Sequence, residues 1–425
     1  MPALLDRLTA AGCRPGVLAN GLPEWGTGRP DTHGLTARFD EVYTSYEAGA
    51  HEARDAGWNG RGYGPGPSRS WTALALLDGE VAVAAPLTER TPAIGGRHAF
   101  TDRGRAASMD FADAGRRASE VVESVSDVVV TREAFVGTVM TGVVAGGHVL
   151  LEDVPGTGKT LTARALATAL GLEFSRVQFT PDLLPADVTG SYVFNERDRE
   201  FEFSPGPVFG NVVLADEINR APPKTQAALL EAMEEGQVTV DGRTHDLPEP
   251  FLVIATMNPI EQEGTFPLPE AQLDRFHLKS SIGYPEPDRE VEMLNRRAER
   301  DEPTPTAWQV LTPDAVRDLQ AVAERVTVDP DLRTYMTRLA QATRQHPQVE
   351  VGVSPRGTQR LFELSRARAV VQGRDYTTPD DIRDVAEPTM AHRLVLTADA
   401  RVNDVSRSAI VDAVLDEVPV PTVRR

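Results

Sequence analysis

Short apolar runs alternate with amphipathic stretches from residue 110 onward. The apolar runs predict buried strands at residues 149–151, 174–179, 212–215 and 251–256. The amphipathic stretches predict helices at residues 114–125, 133–145 and 161–170. Short apolar strands that alternate with helices are typical of a parallel sheet that is covered on both faces.

Two segments interrupt this alternation with the period of two that is typical of β-hairpins. Residues 191–203 flank a charged turn, and residues 237–247 flank a turn at Asp241 and Gly242. Two solvated surface hairpins explain the pattern. The functional alternative is that the hairpins reach a central pore and touch a partner. The apolar residues of these hairpins are Tyr192, Phe194, Phe201, Phe203, Val238 and Val240.

The last quarter of the chain repeats one helix-start signal, a capping residue followed by proline. The capping side chain accepts a hydrogen bond from the first turn, and proline is tolerated at the first helical position. We therefore predict a small bundle of about four helices over residues 307–417. A proline-containing linker precedes it at residues 299–306, and a frayed tail follows at residues 418–425. The four signals are Thr312-Pro313, Asp329-Pro330, Ser354-Pro355 and Thr378-Pro379.

Residues 1–108 differ in composition from the rest of the chain. They hold 16 of the 34 glycines, and residues 59–67 are too rich in glycine and proline for a helix or strand interior. Residues 71–85 predict a short hairpin with its turn at Asp78 and Gly79. Two interpretations of this extension are open. It is an accessory domain or flexible arm, or it is a non-native stretch and the working protein begins at Met109.

Composition excludes several classes of site. The formal net charge of −19 argues against a broad surface for nucleic-acid phosphates. Cys13 is the only cysteine, so neither an intramolecular disulfide nor a cysteine-based zinc site can form. We see no secretory signal and no run of about 18 apolar residues that could span a membrane. These features predict a cytoplasmic protein.

The segment 152–160 has the context of a phosphate-binding loop, because it lies between an apolar run and a helical run. Gly156 and Gly158 would let backbone N–H groups face an anion at the start of a helix. Lys159 would contact the β- and γ-phosphates, and Thr160 would ligate Mg²⁺. The strict motif has glycine where this chain has Asp153. A simple glycine turn is the alternative, but only three of the 44 basic residues are lysine, which favours a function for Lys159.

Two further strands end in candidate catalytic residues. Asp216 would hold Mg²⁺ through water, and Glu217 would polarise the water that attacks the γ-phosphate. Without the loop, this acidic pair could simply cap the next helix. Asn258 follows the strand at 251–256 and could orient the attacking water, although Asn-Pro is also an ordinary turn.

Two arginines are candidates for contacts with the nucleotide. Residues 268–276 resemble the segment that presents an arginine finger, and Arg275 would be that finger. The alternative is a surface salt bridge with Asp274. Arg356 falls in the first turn of a predicted helix, where the helix dipole disfavours a cation. This position suggests that Arg356 closes over the nucleotide.

Together these motifs resemble those of AAA+ ATPases of the MoxR family over about residues 110–417. The resemblance implies a P-loop core at residues 109–302, with a parallel sheet flanked by helices, followed by a small all-α lid. It implies ATP and Mg²⁺ as ligands, with Asp216 and Glu217 as Walker B, Asn258 as sensor 1, Arg275 as arginine finger and Arg356 as sensor 2. The matching stretches are 152–160, 178–185, 215–221, 225–234, 255–259, 268–276, 354–357 and 376–382. The implied nucleotide-binding loop is Pro155, Gly156, Thr157, Gly158, Lys159, Thr160 and Leu161.

The resemblance also implies an assembly and a task. Members of the family form hexameric rings that act as ATP-driven remodelling chaperones, often on partners with von Willebrand factor A domains. One family feature differs, because Thr131 and Arg132 stand where relatives carry Gly-Gln beside the adenine pocket.

Two other functions use similar motifs. A nucleic-acid motor is disfavoured by the acidic balance, although Arg197, Arg199 and Arg243 on the hairpins would suit it. The second alternative function is an ATP-binding scaffold or chelatase-type subunit, which switches shape with little turnover. The complete set of Glu217, Asn258 and Arg275 argues against pure binding.

Overall fold

The computed structural model describes residues 109–259, 265–299 and 304–421, together with four strands nearer the N-terminus. These strands belong to the unit Met1–Asp102 and form one sheet in the order β2-β1-β3-β4. β3 and β4 are antiparallel, with Leu77 opposite Glu80, which confirms the predicted hairpin. Most of residues 1–108, including the segment 59–67, lies outside the described residues. The four strands are β1 (Arg14–Ala19), β2 (Glu41–Thr44), β3 (Trp71–Leu77) and β4 (Glu80–Val83).

The second unit, Arg103–Arg425, contains a sheet of five strands that are all parallel. Its order is β13-β5-β12-β9-β6. The sequence predicted four of these strands but missed β13, which is too short to show a periodic pattern. The strands of this unit are β5 (Val149–Glu152), β6 (Phe174–Gln178), β7 (Gly190–Asn195), β8 (Glu200–Pro205), β9 (Val212–Asp216), β10 (Gln237–Val240), β11 (Arg243–Asp246), β12 (Leu252–Met257), β13 (Leu278–Ser280), β14 (Val349–Val351) and β15 (Val395–Leu396).

Helices cover the sheet and form the lid, and all three helices predicted before residue 171 are present. The helices are α1 (Phe111–Val128), α2 (Glu133–Val144), α3 (Lys159–Leu170), α4 (Pro185–Thr189), α5 (Pro223–Glu235), α6 (Glu270–Leu273), α7 (Pro287–Glu299), α8 (Pro313–Ala323), α9 (Pro330–Gln345), α10 (Pro355–Val371), α11 (Pro379–Met390), α12 (Ala398–Val402) and α13 (Arg407–Glu417). None of the helices within the described ranges is long and apolar enough to cross a bilayer.

The inner strands β5, β9 and β12 are buried on both faces of the sheet, as their apolar sequences predicted. All five residues of β9 are buried. Leu214 packs in the cluster that contains α1 to α3 and the lid helices, whereas Val213 and Ala215 pack on the opposite face with α5. This alternation follows from the period of two along a strand.

The four predicted lid helices begin where proline follows a capping residue. Ser354 Oγ, for example, accepts a hydrogen bond from the Gly357 N–H at 3.0 Å. The structure adds α12 and α13 to the predicted bundle. It also corrects the predicted tail at its first residue, because Val418 is buried in the core cluster. Residues 300–303 of the predicted linker lie outside the described ranges.

The two predicted hairpins are present as β7-β8 and β10-β11. They contact each other where the ring of Phe203 stacks on His245, with centroids 3.9 Å apart. Phe194 and Phe201 remain 49% and 67% exposed. The contact with a pore or partner stays a prediction.

Candidate functional site

Three predicted site segments meet at one edge of the parallel sheet. β5, β9 and β12 are adjacent strands, and Met257 lies opposite Glu152 in the register. Because the carboxyl ends of parallel strands share one edge, residues 153–160, Glu217 and Asn258 lie along it. Asn258 is buried directly after the last residue of β12.

The backbone of the phosphate loop requires its two glycines. Gly156 and Gly158 have φ angles of +86° and +91°, a region that side-chain-bearing residues rarely adopt. A Cβ built at either position meets no atom within 4 Å, so the space beside them is open. α3 begins at Lys159 and directs its N-terminal amides to the same place. A loop with positive φ angles that leads into a helix N-terminus points backbone N–H groups at one place, and this arrangement fits a phosphate group.

The Lys159 side chain folds back over the loop that precedes it. Its Nζ donates to the carbonyl oxygens of Asp153 at 2.8 Å and Val154 at 3.3 Å. The ammonium group therefore lies within the loop rather than in solvent, and Lys159 is buried. A phosphate in the loop would offer this group a charged acceptor in addition to the two carbonyls.

Asp153, at the position where the strict motif has glycine, anchors the loop. Its carboxylate accepts hydrogen bonds from Ser281 Oγ at 2.9 Å and from the N–H groups of Ile282 at 2.6 Å and Gly283 at 2.9 Å. Asp153 does not adopt a positive φ, so this position does not require glycine. The side chain instead ties the phosphate loop to the segment after β13.

Asp153→Ala is expected to lower the free energy of unfolding by about 3 kcal/mol, because buried donors lose their acceptor. ATP affinity should fall as well, since the loop loses its anchor. Asp153→Asn is the matched control, because it retains one acceptor oxygen and should be less damaging. Thermal unfolding and equilibrium ATP binding measure the two effects. Wild-type values for both in Asp153→Ala would show that the loop does not depend on this anchor.

Asp216 ends β9 and is fixed by two side chains. Its Oδ1 accepts from Thr256 Oγ1 at 2.7 Å, and its Oδ2 accepts from Arg176 Nη2 at 2.7 Å. Thr160, in the first turn of α3, supplies a hydroxyl at the same edge. A carboxylate and a hydroxyl fit Mg²⁺, which takes few protein ligands beside phosphate oxygens. Among the described residues, this edge included, no cluster of three His, Cys, Asp or Glu could hold a metal ion.

Glu217 leaves the strand in a left-handed conformation with a φ of +56°. Its N–H donates to Thr256 Oγ1 at 2.9 Å. Its carboxylate Oε2 accepts from Gln178 Nε2 at 2.6 Å and from Arg220 Nη1 at 2.9 Å. The turn therefore aims Glu217 across the edge of the sheet, beside Asp216.

The sequence analysis did not assign roles to Arg176, Gln178 and Arg220. Arg176 and Gln178 alternate on the edge strand β6, so both side chains lie on one face. Arg176 Nη2 also donates to Gln178 Oε1 at 2.8 Å, which links the partners of Asp216 and Glu217. Arg176 and Gln178 at alternate positions of a predicted strand were the available signal.

Arg275 and Arg356 lie together at the opposite edge of the sheet. Arg275 Nε is 3.0 Å from Glu234 Oε2, and Arg356 Nη1 donates to Glu234 Oε1 at 2.9 Å. Arg275 precedes β13, whose first residue is level with the first residue of β5. The structure therefore brings the two arginines to each other but not to Lys159. With residues that include His148, His277 and Arg360, they line a cavity of about 320 Å³.

Two buried histidines support this cavity as neutral groups. His148 Nδ1 accepts from the Val253 N–H at 3.0 Å, and its Nε2 lies 3.0 Å from the Met233 carbonyl oxygen. Burial lowers the pKa of His148 to about 4. Burial, with the nearby Arg360 charge, holds the pKa of His277 well below its usual value. The positive charge of the cavity therefore comes from its arginines.

Arg132 is linked to the phosphate loop through Ser281. Arg132 Nη2 donates to the Ser281 carbonyl oxygen at 3.2 Å, and the Ser281 hydroxyl holds Asp153. Thr131 is buried, and its Oγ1 has no hydrogen-bond partner in the described part of the chain. This hydroxyl could donate to, or accept from, a nucleotide base.

Comparison with known proteins gives the class of this protein. Residues 148–278 match the model of the ATPase family associated with various cellular activities (AAA), and residues 341–414 match that of the AAA lid domain. The first match runs from β5 to the first residue of β13, and the second lies within the helical lid. The chain thus contains an AAA+ ATPase core followed by its lid.

Individual relatives identify the family within this class. The chain is 48% identical over 305 residues to the uncharacterized protein YeaC of Bacillus subtilis, covering 72% of this chain and 95% of YeaC. It is 42% identical over 308 residues to the chaperone MoxR1 of Mycobacterium tuberculosis, covering 70% of this chain and 81% of MoxR1. An ATPase candidate from Cytophaga hutchinsonii, solved by crystallography, superposes with a TM-score of 0.68 at 38% identity, covering 73% and 96% of the two chains. The chain belongs to the MoxR family of AAA+ ATPases.

Proposed function

We propose that this chain hydrolyses ATP at the interfaces of a ring of identical subunits and uses the energy to remodel partner proteins. One subunit would bind ATP at its phosphate loop, and the next would contribute Arg275 and Arg356. The observation that carries the proposal is the separation of these arginines from Lys159 across the sheet.

The phosphate-loop edge accounts for binding and for activation of water. Lys159 and the backbone N–H groups of residues 156–161 would hold the phosphates, and Pro155 would shape the start of the loop. Thr160 and Asp216 would hold Mg²⁺, which when bound neutralises phosphate charge. Glu217 would accept a proton from the attacking water, and Asn258 would orient that water.

The arginine edge accounts for the subunit interface. Since strands rise 3.3 Å per residue, the four-residue strand β5 separates the two edges by about 13 Å. Within one subunit, the ion pairs with Glu234 hold Arg275 and Arg356 at the far edge. A neighbouring subunit that packs its arginine edge against the phosphate loop would complete the site. A closed ring, which we propose to be hexameric, repeats this head-to-tail contact at each interface.

The proposed use of turnover is remodelling of a protein client. The relative MoxR1 is named a chaperone. The exposed Phe194 and Phe201 on the β7-β8 hairpin offer an apolar contact for a polypeptide, and their rings lie 5.3 Å apart. A protein with a von Willebrand factor A domain is the client that the family resemblance favours.

The proposal is tested by ATP turnover per subunit over a wide range of protein concentration. We expect turnover to rise steeply with concentration, because each site needs a second subunit. Lys159→Ala, expected to lose ATP binding, provides the background rate. Residues 109–425 are measured beside the full chain, and equal behaviour would show that the extension does not contribute.

Turnover that stays flat while the subunits remain monomeric would contradict a shared site and the role of Arg275. Bound ATP without turnover at any concentration would instead favour a nucleotide-switched scaffold.

A further inference from the structure

We propose that Glu234 is a positioning residue that holds Arg275 and Arg356 side by side for the ATP of the neighbouring subunit. The inference rests on the proposed function and adds a residue to it. Glu234 lies in the last turn of α5, far from the phosphate loop in the sequence.

The geometry is that of one carboxylate shared by two guanidinium groups. Each oxygen of Glu234 takes one arginine, Oε2 the Nε of Arg275 at 3.0 Å and Oε1 the Nη1 of Arg356 at 2.9 Å. The three side chains are 35%, 29% and 33% exposed, so the triad lies on the rim of the cavity rather than deep inside it. A partner that docks on this edge can therefore reach it.

A bridging carboxylate solves an electrostatic problem at this edge. Two guanidinium charges that are to grip one triphosphate must lie within a few ångströms, where they repel each other. Glu234 offsets this repulsion before the phosphate arrives. Each guanidinium has five N–H donors, so an arginine that pairs with Glu234 still has donors for phosphate oxygens.

Local helix electrostatics disfavour two members of the triad where they stand. Glu234 is an anion at the negative C-terminal end of α5, and Arg356 is a cation at the positive N-terminal end of α10. Pairing them across the two helices offsets both unfavourable positions. This pairing accounts for the presence of Arg356 in the first turn of α10. Its partner, Glu234, lies on the ATPase core.

The backbone beneath the triad is tied together as well. Asp274 accepts from Ser354 Oγ at 3.0 Å and from Arg393 Nε at 2.6 Å. The buried Arg393 also donates to the Phe276 carbonyl oxygen at 2.6 Å. The segment that carries Arg275 is thus fixed to the start of α10, which carries Arg356. What remains to be positioned are the two guanidinium ends, and Glu234 contacts both.

The other groups that face Glu234 do not replace it. His148 and His277 are neutral near pH 7, because their pKa values are lowered by burial. Arg360 is paired with Glu363 at 2.6 Å. Among the described residues that line the cavity, Glu234 is the carboxylate that pairs with Arg275 and Arg356.

Glu234→Gln is expected to lower kcat for ATP about ten- to a hundredfold, because small misplacement of contacts to the reacting group costs that much. The amide has one acceptor oxygen and one NH₂ group, and the NH₂ group cannot pair with a guanidinium. ATP affinity at the variant's own phosphate loop should not change. The matched control is Glu235→Gln, an exposed glutamate one residue further on, which should have wild-type turnover.

Rings assembled from two different variants distinguish a positioning role of Glu234 from a general structural role. A Glu217→Gln subunit should hydrolyse its own ATP about a hundredfold more slowly or worse, but it carries intact arginines and Glu234. Mixed with Glu234→Gln subunits, it should restore turnover at the interfaces where it serves their ATP. Glu234→Asp, which keeps the charge on a shorter side chain, should retain more turnover than Glu234→Gln and gives a second variant should the first not fold.

Two results would overturn the inference. One is wild-type turnover of Glu234→Gln. The other is that Glu234→Gln fails to recover with Glu217→Gln subunits although Arg275→Ala recovers in the same mixture. If neither mixture recovers, the shared interface itself is wrong, and the proposed function fails rather than the role of Glu234 alone.

Discussion

Arg275→Ala is expected to reduce ATP turnover by about a thousandfold while ATP still binds, because an arginine finger stabilises charge that develops only in the transition state. Arg275 lies at the edge of the sheet opposite the phosphate loop, so its loss should leave the variant's own binding site intact. The effect should therefore appear in kcat and not in the equilibrium affinity for ATP.

The measurement compares steady-state turnover with equilibrium binding of ATP. Arg333→Ala is the control, because Arg333 is an exposed arginine on the lid helix α9. Mixing Arg275→Ala with Glu217→Gln subunits should restore part of the activity, since each variant supplies what the other lacks. A loss of ATP affinity equal to the loss of turnover would place Arg275 at its own subunit's nucleotide instead.

Glu217→Gln should lower turnover about a hundredfold or more, which is what removal of a general base costs. ATP binding should persist, because Lys159, Thr160 and Asp216 are unchanged. The amide can still accept a hydrogen bond from Arg220 or Gln178, so the turn after β9 should retain its shape. The chemical change is then confined to the loss of a proton acceptor.

Single-turnover hydrolysis measures this prediction without interference from product release. Asp216→Asn is an informative comparison, because it should weaken the Mg²⁺-dependent part of binding as well as turnover. Hydrolysis by Glu217→Gln within a few-fold of the wild type would remove Glu217 from the role of base. Asn258 would then be the next residue to test.

Local patterns in the sequence determined much of this protein. Runs of three to six residues that alternate with amphipathic helices are typical of strands in a covered parallel sheet, and they predicted four strands of the central sheet. Proline after a capping residue fixed the starts of α8, α9, α10 and α11, because both effects act within one turn. The glycine loop before α3 and the acidic end of β9 likewise carry their chemistry within a few neighbouring residues.

Only the tertiary structure decided which of these segments meet. In the sequence, Asp153 is only a departure from the strict glycine motif. In the structure, the N–H groups of Ile282 and Gly283, in the segment after β13, donate to its carboxylate. From the sequence, we predicted that Arg356 closes over the nucleotide. In the structure, Glu234 holds it beside Arg275 at the edge opposite the phosphate loop of the same subunit. Glu234 and Arg356 are 122 positions apart. Strand order and the docking of the lid set such contacts, and these depend on packing of the whole core, which no local pattern encodes.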